Sequence, residues 1–465
     1  MSLEQVAQAV NGEMVGSNVD MLNISINTRS DCAGRLFVAL KGDNFDAHDY
    51  VESASKAGSA ALLIERKVKT DLPYVLVSDT RLALKELSRW WRSQFDIPVI
   101  GVTGSVGKTT VKEMLGSIFA QIGKGVVTHG NLNNEIGVPL TLMRLTKADK
   151  YAIVEMGMNN AGEIARLSNI ARPTVAMVNN AAAAHLEGLG TVEAVAHAKG
   201  EIFSGLASDG IAVINIDDQF SGLWHDLAAG HKTIEFGLSS HAQVTATCIE
   251  KGNKIEVSAN VLGESVNYLL SSIGIHSVRN SLAALSCAYA AGADISAIIA
   301  GLENYRPVKG RLSPITVAGV IVFDDTYNAN PASMKAAIDV LANYSNSVLV
   351  VGDMAELGSI VEDAHKEIGH YAKERGIYSL LACGRYAAQV TKGFGDRGFA
   401  FTSQDNLINH ITKKPIDADA ILVKGSRSAQ MEKVVVVIQD VLRGSPHEIN
   451  ANKNIGNIKN GGGVS

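Results

Sequence analysis

Seven residues, Gly104-Ser105-Val106-Gly107-Lys108-Thr109-Thr110, constrain the fold more than any other feature of this sequence. They stand between an apolar run, Val99–Thr103, and a stretch with helical spacing. Glycines in such a loop let successive backbone N–H groups turn inward on phosphate oxygens, and the N-terminus of the following helix adds partial positive charge. Lys108 is placed to reach β- and γ-phosphates, and the Thr109 hydroxyl to hold Mg²⁺. The strict form of the loop has one more glycine, at the position where this chain has Val102, so the variant here is Thr-Gly-x-x-Gly-Lys-Thr. The bland alternative is a chance glycine-rich turn. It would not explain strand, loop, lysine-threonine pair and helix in that order. A strand feeding a phosphate loop belongs to a parallel α/β sheet whose ligands gather beyond the strand ends.

The 465 residues suggest about three domains at ~150 residues each. The first unit is expected over 1–97, with short strands near 36–40 and 60–64 and a helix ending at Trp90-Trp91. Leu3, Val6, Ala7 and Val10 recur at helical spacing, and Ser2 with Gln5 matches a capping box. Pro98 precedes a central unit over 98–309. Its short apolar runs at 151–155, 174–179 and Ile211–Asn215 alternate with helical patterns, which predicts a parallel sheet. Alternating strands follow between His241 and Leu270, for example Lys254–Val261, and then a helix over 278–291. The third unit, 310–450, alternates again. Strand-like runs at 320–324, Ser347–Val351, Ser379–Cys383 and Ala420–Lys424 predict a second open α/β sheet. Residues 451–465, rich in Asn, Gly and Lys, read as a disordered tail.

Composition narrows the class further. Hydrophobic residues make up 46% and charged residues 19%, which suits buried cores and argues against long disorder. Net charge is -5 and no basic block stands out, so no nucleic-acid partner is expected. Cys32, Cys248, Cys287 and Cys383 lie far apart without metal-type spacing and read as buried free thiols of a reducing compartment. The start of the chain lacks the basic and apolar regions of a signal peptide. The most apolar stretch, 281–293, stops at Asp294 and is too short to cross a bilayer. A cytoplasmic protein without membrane insertion is expected.

Three residues around the loop carry further chemistry. Glu155 closes an apolar strand, where a carboxylate beside a phosphate loop can bind Mg²⁺, although an ordinary solvated glutamate fits the same pattern. His185 lies just past the run ending at Asn179-Asn180, in the region where ligands of such a sheet gather, but a lone histidine is more often structural. Lys199 sits on a helical pattern, and its chemistry alone favours a surface lysine.

These residues also fit a larger pattern. Thr103-Gly104-Ser105-Val106-Gly107-Lys108-Thr109 resembles the phosphate loop of the Mur ligases and folylpolyglutamate synthases. The stretch from Gly130-Asn131-Leu132-Asn133-Asn134 to Pro139 is similar to one found in these ligases. So are Glu155-Met156-Gly157, Ala184-His185-Leu186-Glu187-Gly188 and Ala198-Lys199-Gly200-Glu201-Ile202. Asp324-Asp325-Thr326-Tyr327-Asn328, Gly352-Asp353-Met354-Ala355-Glu356-Leu357-Gly358 and Val423-Lys424-Gly425-Ser426-Arg427-Ser428 resemble the C-terminal motifs of the branch that adds a dipeptide. Leu36–Gly42 and Phe45-Asp46-Ala47-His48-Asp49 resemble its UDP-binding domain, so the likeness runs over almost the whole chain.

The resemblance implies three α/β domains: an N-terminal UDP-substrate domain, a central phosphate-loop ATPase with a parallel sheet, and a Rossmann-like C-terminal domain. It implies ATP and Mg²⁺ as cofactors, and UDP-N-acetylmuramoyl-tripeptide and D-alanyl-D-alanine as substrates of a monomeric amide ligase. Gly104 to Thr110 would cradle phosphate. Thr109, Glu155, His185 and a carbamylated Lys199 would hold Mg²⁺, with Lys108, Glu155, His185 and Lys199 serving catalysis. Asn280 would meet the adenine, Arg311 the γ-phosphate and Asp325 the ribose. Thr28, Arg29, Ser30, Lys41, Phe45, Asp46, His48, Asn131, Asn133, Asn134, Tyr327, Asn328 and Arg427 would contact the substrates. Two positions depart from the family pattern: Ser277 replaces the asparagine of Gly-x-His-Asn, and Asn160 stands where a histidine is often found. A ligase adding another amino acid would carry an Asp-Asn-Pro-Arg motif, which this chain lacks. A folate-type ligase would leave the first domain unexplained. A nucleotide-driven switch remains the alternative from another class.

Overall fold

The computed structural model describes residues 1–29, 32–252 and 254–444; Ser30 and the expected tail lie outside them. Among the described residues three large sheets follow one another along the chain, with a two-stranded antiparallel sheet, Lys41–Gly42 and Phe45–Asp46, beside the first. The first has strand order Glu13–Val15, Tyr74–Leu76, Ala61–Ile64, Leu36–Val38, Ile24–Ser25. Only the Glu13–Val15 pairing is antiparallel. Helix Leu3–Val10 starts with the capping box: Ser2 Oγ accepts from Gln5 N–H, and the Gln5 side chain accepts from Ser2 N–H. Helix Thr80–Arg92 begins on Asp79, whose carboxylate accepts the N–H groups of Arg81 and Leu82.

The second sheet carries the phosphate loop. Its nine strands run Glu264–Leu270, Lys254–Val261, Val244–Lys251, Lys232–Phe236, Ile211–Asn215, Val175–Val178, Val99–Thr103, Ala152–Glu155, Val126–Val127. Every residue of Val99–Thr103 is buried, as both faces of a parallel sheet are covered. The expected parallel sheet is observed, but it is extended at one edge. Lys254–Val261 and Glu264–Leu270 continue the same sheet antiparallel, because short turns can return a strand beside its predecessor without a crossover helix. Helix Ile275–Ala290 starts three residues earlier than its apolar spacing suggests. Its body, Asn280–Ala288, is buried on every side, whereas Ile275 at its start is 45% exposed, so the first turn adds no apolar periodicity.

The third sheet has order Ser313–Val317, Val320–Asp325, Ala420–Lys424, Ser347–Val351, Ser379–Cys383, Gly398–Phe401, parallel except at its first pairing. Cys32, Cys287 and Cys383 are buried free thiols, whereas Cys248 is only half-buried because it lies on the outer antiparallel arm. No helix among the described residues is long and apolar enough to cross a membrane.

The first and second units are joined by polar contacts. Trp91 Nε1 donates to Leu145 O at 3.1 Å, and Arg92 Nε to Ala171 O at 3.0 Å. Glu135 bridges Lys85 Nζ, at 2.6 Å, and Arg166. The third unit meets the second where Arg311 reaches Thr109, where Leu186 N–H donates to Glu356 O, and through Ile273, which packs into the third unit's core.

Candidate active site

The loop sits where the fully buried strand Val99–Thr103 ends. Gly104 and Gly107 have φ of +155° and +85°, backbone settings that favour glycine. Gly107 also lacks room for a side chain: a Cβ there would stand 2.4 Å from Asn280 Oδ1 and 2.5 Å from Asn179 Nδ2. Residues 179–182 clamp the loop. Val106 N–H donates to Asn180 Oδ1 at 2.8 Å, while Asn179 Nδ2 and Asn180 Nδ2 donate to Val106 O at 2.9 and 3.0 Å. Ala182 N–H donates to Ser105 Oγ at 3.0 Å. The backbone is thus set before any nucleotide arrives, which is what a phosphate cradle needs.

Cations and one carboxylate face each other across the loop. Lys108 Nζ donates to Gly104 O at 2.5 Å, and burial pushes its ammonium below the ordinary lysine range. Glu155 is 2% exposed. Its Oε1 accepts from Asn133 Nδ2 at 2.8 Å, while its Oε2 is buried without a hydrogen-bond partner. An orphaned carboxylate oxygen is costly in a protein interior and is the hard donor that a divalent cation takes. Thr109 Oγ1 accepts from Arg311 Nη2 at 3.0 Å, and the Arg311 guanidinium lies 3.8 Å from the Tyr327 ring centre. The site's donor set therefore fits Mg²⁺ at Glu155 and Thr109. Among the described residues no three His, Cys, Asp or Glu side chains gather as a metal site.

Lys199 is 1% exposed, not a surface residue. Burial, and then the neighbouring Lys108 charge, hold its pKa well below the ordinary lysine value, which favours the neutral amine. His185 takes a left-handed backbone at φ +57°, as does Glu356 from the third unit at φ +62°. His185 Nδ1 lies 2.7 Å from Glu356 Oε2. The approach is short but off the hydrogen-bond line. Leu186 N–H donates to Glu356 O at 3.1 Å alongside it. The left-handed region costs a non-glycine residue ~1–2 kcal/mol.

A cleft of about 500 Å³ opens between the second and third units, lined among others by Lys108, Thr109, Glu155, Asn280, Arg311 and Asp325. Asn280 stands against Gly107, its Oδ1 accepting from Asn179 Nδ2 at 3.0 Å. Both oxygens of Asp325 are engaged: Oδ2 accepts from Lys424 Nζ at 2.6 Å and Oδ1 from Leu312 N–H at 3.0 Å. Tyr327, Asn328 and Asn133 also line the cleft. His185 and Lys199 stand outside its lining, as do Asn131 and Asn134; Asn134 Oδ1 caps the helix at Gly137 N–H. Ser277 and Asn160 have local partners, Ile273 O at 2.7 Å and Glu163 Oε1 at 3.0 Å.

The N-terminal candidates form a separate group. Phe45 is exposed and stacks on Tyr50, with centroids 5.1 Å apart. Lys41 is exposed beside Arg81, whose Nε donates to Lys41 O at 2.9 Å. His48 is buried with both ring nitrogens in use, Nδ1 against Asp46 at 2.5 Å and Nε2 accepting from Glu65 N–H at 2.9 Å. Thr28 is half-buried and Arg29 exposed. Arg427 is exposed and pairs with Glu432 at 3.0 Å. Sequence reasoning assigned no part to Asn179, Asn180, Lys424 or Glu356. The asparagine pair just past an apolar run was the one available signal; Lys424 and Glu356 needed the third unit's placement.

Comparison with known proteins follows this geometry. Residues 102–288 match the Mur ligase middle domain and residues 310–427 the Mur ligase, glutamate ligase domain. The chain is 44% identical over 448 residues to an Escherichia coli protein named UDP-N-acetylmuramoyl-tripeptide--D-alanyl-D-alanine ligase, covering 95% of this chain and 98% of that one. A crystal structure of MurF from Acinetobacter baumannii superposes with a TM-score of 0.89 at 34% identity, covering 94% of this chain and 98% of the other. MurF from Thermotoga maritima, solved in complex with ADP, gives a TM-score of 0.81 at 28% identity, with 91% and 98% covered.

Proposed function

As the chain belongs to the Mur ligase family, we propose that it joins D-alanyl-D-alanine to UDP-N-acetylmuramoyl-tripeptide with ATP, giving the UDP-muramoyl-pentapeptide of peptidoglycan synthesis. The observation that carries this reading at the level of chemistry is the cleft. A preset phosphate loop, two cations and a buried carboxylate with a free oxygen converge there between two units. A carboxylate resists attack by an amine because an oxide would have to leave. Transfer of the γ-phosphoryl group to the tripeptide's terminal carboxylate gives an acyl phosphate and ADP. The dipeptide amine then attacks the carbonyl carbon. The C–N bond forms, the amine nitrogen gives up a proton to solvent, the C–O bond breaks, and phosphate leaves with that electron pair.

The loop's N–H groups and Lys108 hold the β- and γ-phosphates, and Arg311 meets the γ-phosphate, so charge on the transferring group is stabilised by donors already in place. Glu155 and Thr109 would hold Mg²⁺, with His185 and a carbamylated Lys199 completing the set. When bound, the ion would neutralise phosphate oxygens. The burial of Lys199 supports the carbamate: a neutral amine adds CO₂ and releases a proton, giving an anion where an ammonium would repel the metal. Asn280 serves the adenine and Asp325 the ribose, sharing its oxygens with Lys424. Thr28, Arg29, Ser30, Lys41, Phe45, Asp46 and His48 serve the UDP end. Asn131, Asn133, Asn134, Tyr327, Asn328 and Arg427 serve the peptide end. We propose a monomer acting in the cytoplasm.

Phosphate release from ATP tests the reading. It should require UDP-tripeptide and D-alanyl-D-alanine together. A nucleotide switch would release phosphate with neither, and that outcome would remove the ligase assignment.

A further inference from the structure

One hydrogen bond beside the phosphate loop does more than satisfy a polar group. Asn133 Nδ2 donates to Glu155 Oε1 at 2.8 Å, while Oε2 of the same carboxylate is buried without a partner. Both residues line the cleft. An ammonium competes for that free oxygen: after burial, the Glu155 charge is the largest influence on Lys108. Opposite charges attract strongly away from water, so a carboxylate free to turn would close on Lys108 and lose the oxygen a divalent cation needs. It has not done so. Lys108 Nζ donates to Gly104 O at 2.5 Å, and Oε2 stays unpaired. The Glu155 backbone does not depend on the asparagine, because its N–H donates to Thr128 Oγ1 at 3.0 Å. Asn133 is fixed on its own account: its N–H donates to Asn131 O and its O accepts from Gly157 N–H, both at 2.8 Å. Its carboxamide lies against Gly157, where a Cβ would stand 3.0–3.1 Å from Cγ, Nδ2 and Oδ1.

We infer that Asn133 is a positioning residue for the cation: it holds Oε1 of Glu155 and so keeps Oε2 unpaired as a ligand oxygen. A carboxylate that binds a metal is itself held by hydrogen bonds, and losing such an outer partner typically costs ~10–100-fold in metal affinity. The role uses Nδ2 alone and is in place before any substrate binds, so it is separate from a contact with the peptide end. The inference rests on the proposed role of Glu155 at the cation.

The test uses the full chain and the variants Asn133→Ala, Asn133→Leu, Gly157→Ala, Glu155→Ala, and Asn133→Ala with Glu155→Ala. Mn²⁺ affinity of the ADP complex is read by electron paramagnetic resonance with no UDP-tripeptide or dipeptide present, where a contact to the peptide cannot act. Asn133→Ala should lower that affinity by ~10–100-fold. Asn133→Leu, of similar size but without the donor, should lose as much, and it carries the test if the alanine variant does not fold. Gly157→Ala keeps every polar group and pushes the carboxamide by a few tenths of an ångström, so it should lose less than either. In the Glu155→Ala background, removing Asn133 should change nothing further. Equal losses in both backgrounds would overturn the inference. So would wild-type Mn²⁺ affinity in the folded Asn133 variants with only KM for UDP-tripeptide raised, which would make Asn133 a peptide contact alone. If Glu155→Ala itself leaves Mn²⁺ affinity unchanged, the metal role of Glu155 fails first, and the inference falls with it.

Discussion

Replacing Gly107 by alanine should disable the site while leaving most of the protein untouched. The new Cβ would stand 2.4 Å from Asn280 Oδ1, where real contacts do not fall below 3.0 Å, so loop and carboxamide must part by at least 0.6 Å (3.0 minus 2.4). Neither side can give way freely. Asn280 is held by Asn179 Nδ2 at 3.0 Å, and Asn179 also donates to Val106 O within the loop. The backbone at φ +85° adds ~1–2 kcal/mol for a residue with a Cβ. A misplacement approaching 1 Å in a phosphate cradle costs on the order of 10²-fold in rate. The assay is phosphate release at saturating ATP, UDP-tripeptide and dipeptide, with circular dichroism to check the fold. Gly107→Ala should be folded and roughly 10²-fold slower, by that same argument. A variant with wild-type kcat would show that loop geometry does not set the rate.

Further expectations concern the charges and the motion. Lys108→Ala should fold, yet lose ~10²–10³-fold in kcat, as removal of one preset donor does; normal turnover would remove this loop from the mechanism. Lys199→Ala should be nearly inactive while still binding ATP, with short carboxylic acids restoring part of the rate by supplying the missing oxygens to the cation. Full activity of that variant would make Lys199 a packing residue. Small-angle scattering should show compaction when an ATP analogue and UDP-tripeptide are both bound, because groups from two units serve one cleft. An unchanged radius of gyration at saturation would count against closure. The moving part should be the third unit, since Glu135, Trp91 and Arg92 tie the first to the second.

Much of the fold was readable because it is written in local patterns. Val99–Thr103, Ile211–Asn215 and Ser347–Val351 are wholly apolar or nearly so, bounded by polar residues, and each is a strand over that same range. The capping box at Ser2 and Gln5 and the phosphate loop are likewise properties of a few adjacent residues. What was not legible depends on distant pairs. That Lys199 is buried next to Lys108 could not be read from a helix whose sequence looks like a surface one. Lys424 reaches Asp325 across 99 positions, and Glu356 of the third unit lies 2.7 Å from His185 of the second. Nothing in sequence spacing encodes either, because sheet order and unit placement decide them. The antiparallel extension of the central sheet escaped for a similar reason: alternation along Lys254–Val261 marks a strand but not its neighbour.

The central claim is an amide ligation through an acyl phosphate, and isotope transfer tests it most directly. UDP-tripeptide labelled with ¹⁸O in its terminal carboxylate is incubated with the enzyme, ATP and D-alanyl-D-alanine, and the phosphate and pentapeptide are weighed by mass spectrometry. The account predicts that each amide bond formed sends one heavy oxygen into the released phosphate, and that omitting the dipeptide abolishes the pentapeptide. Pentapeptide formed with no ¹⁸O in the phosphate would contradict it.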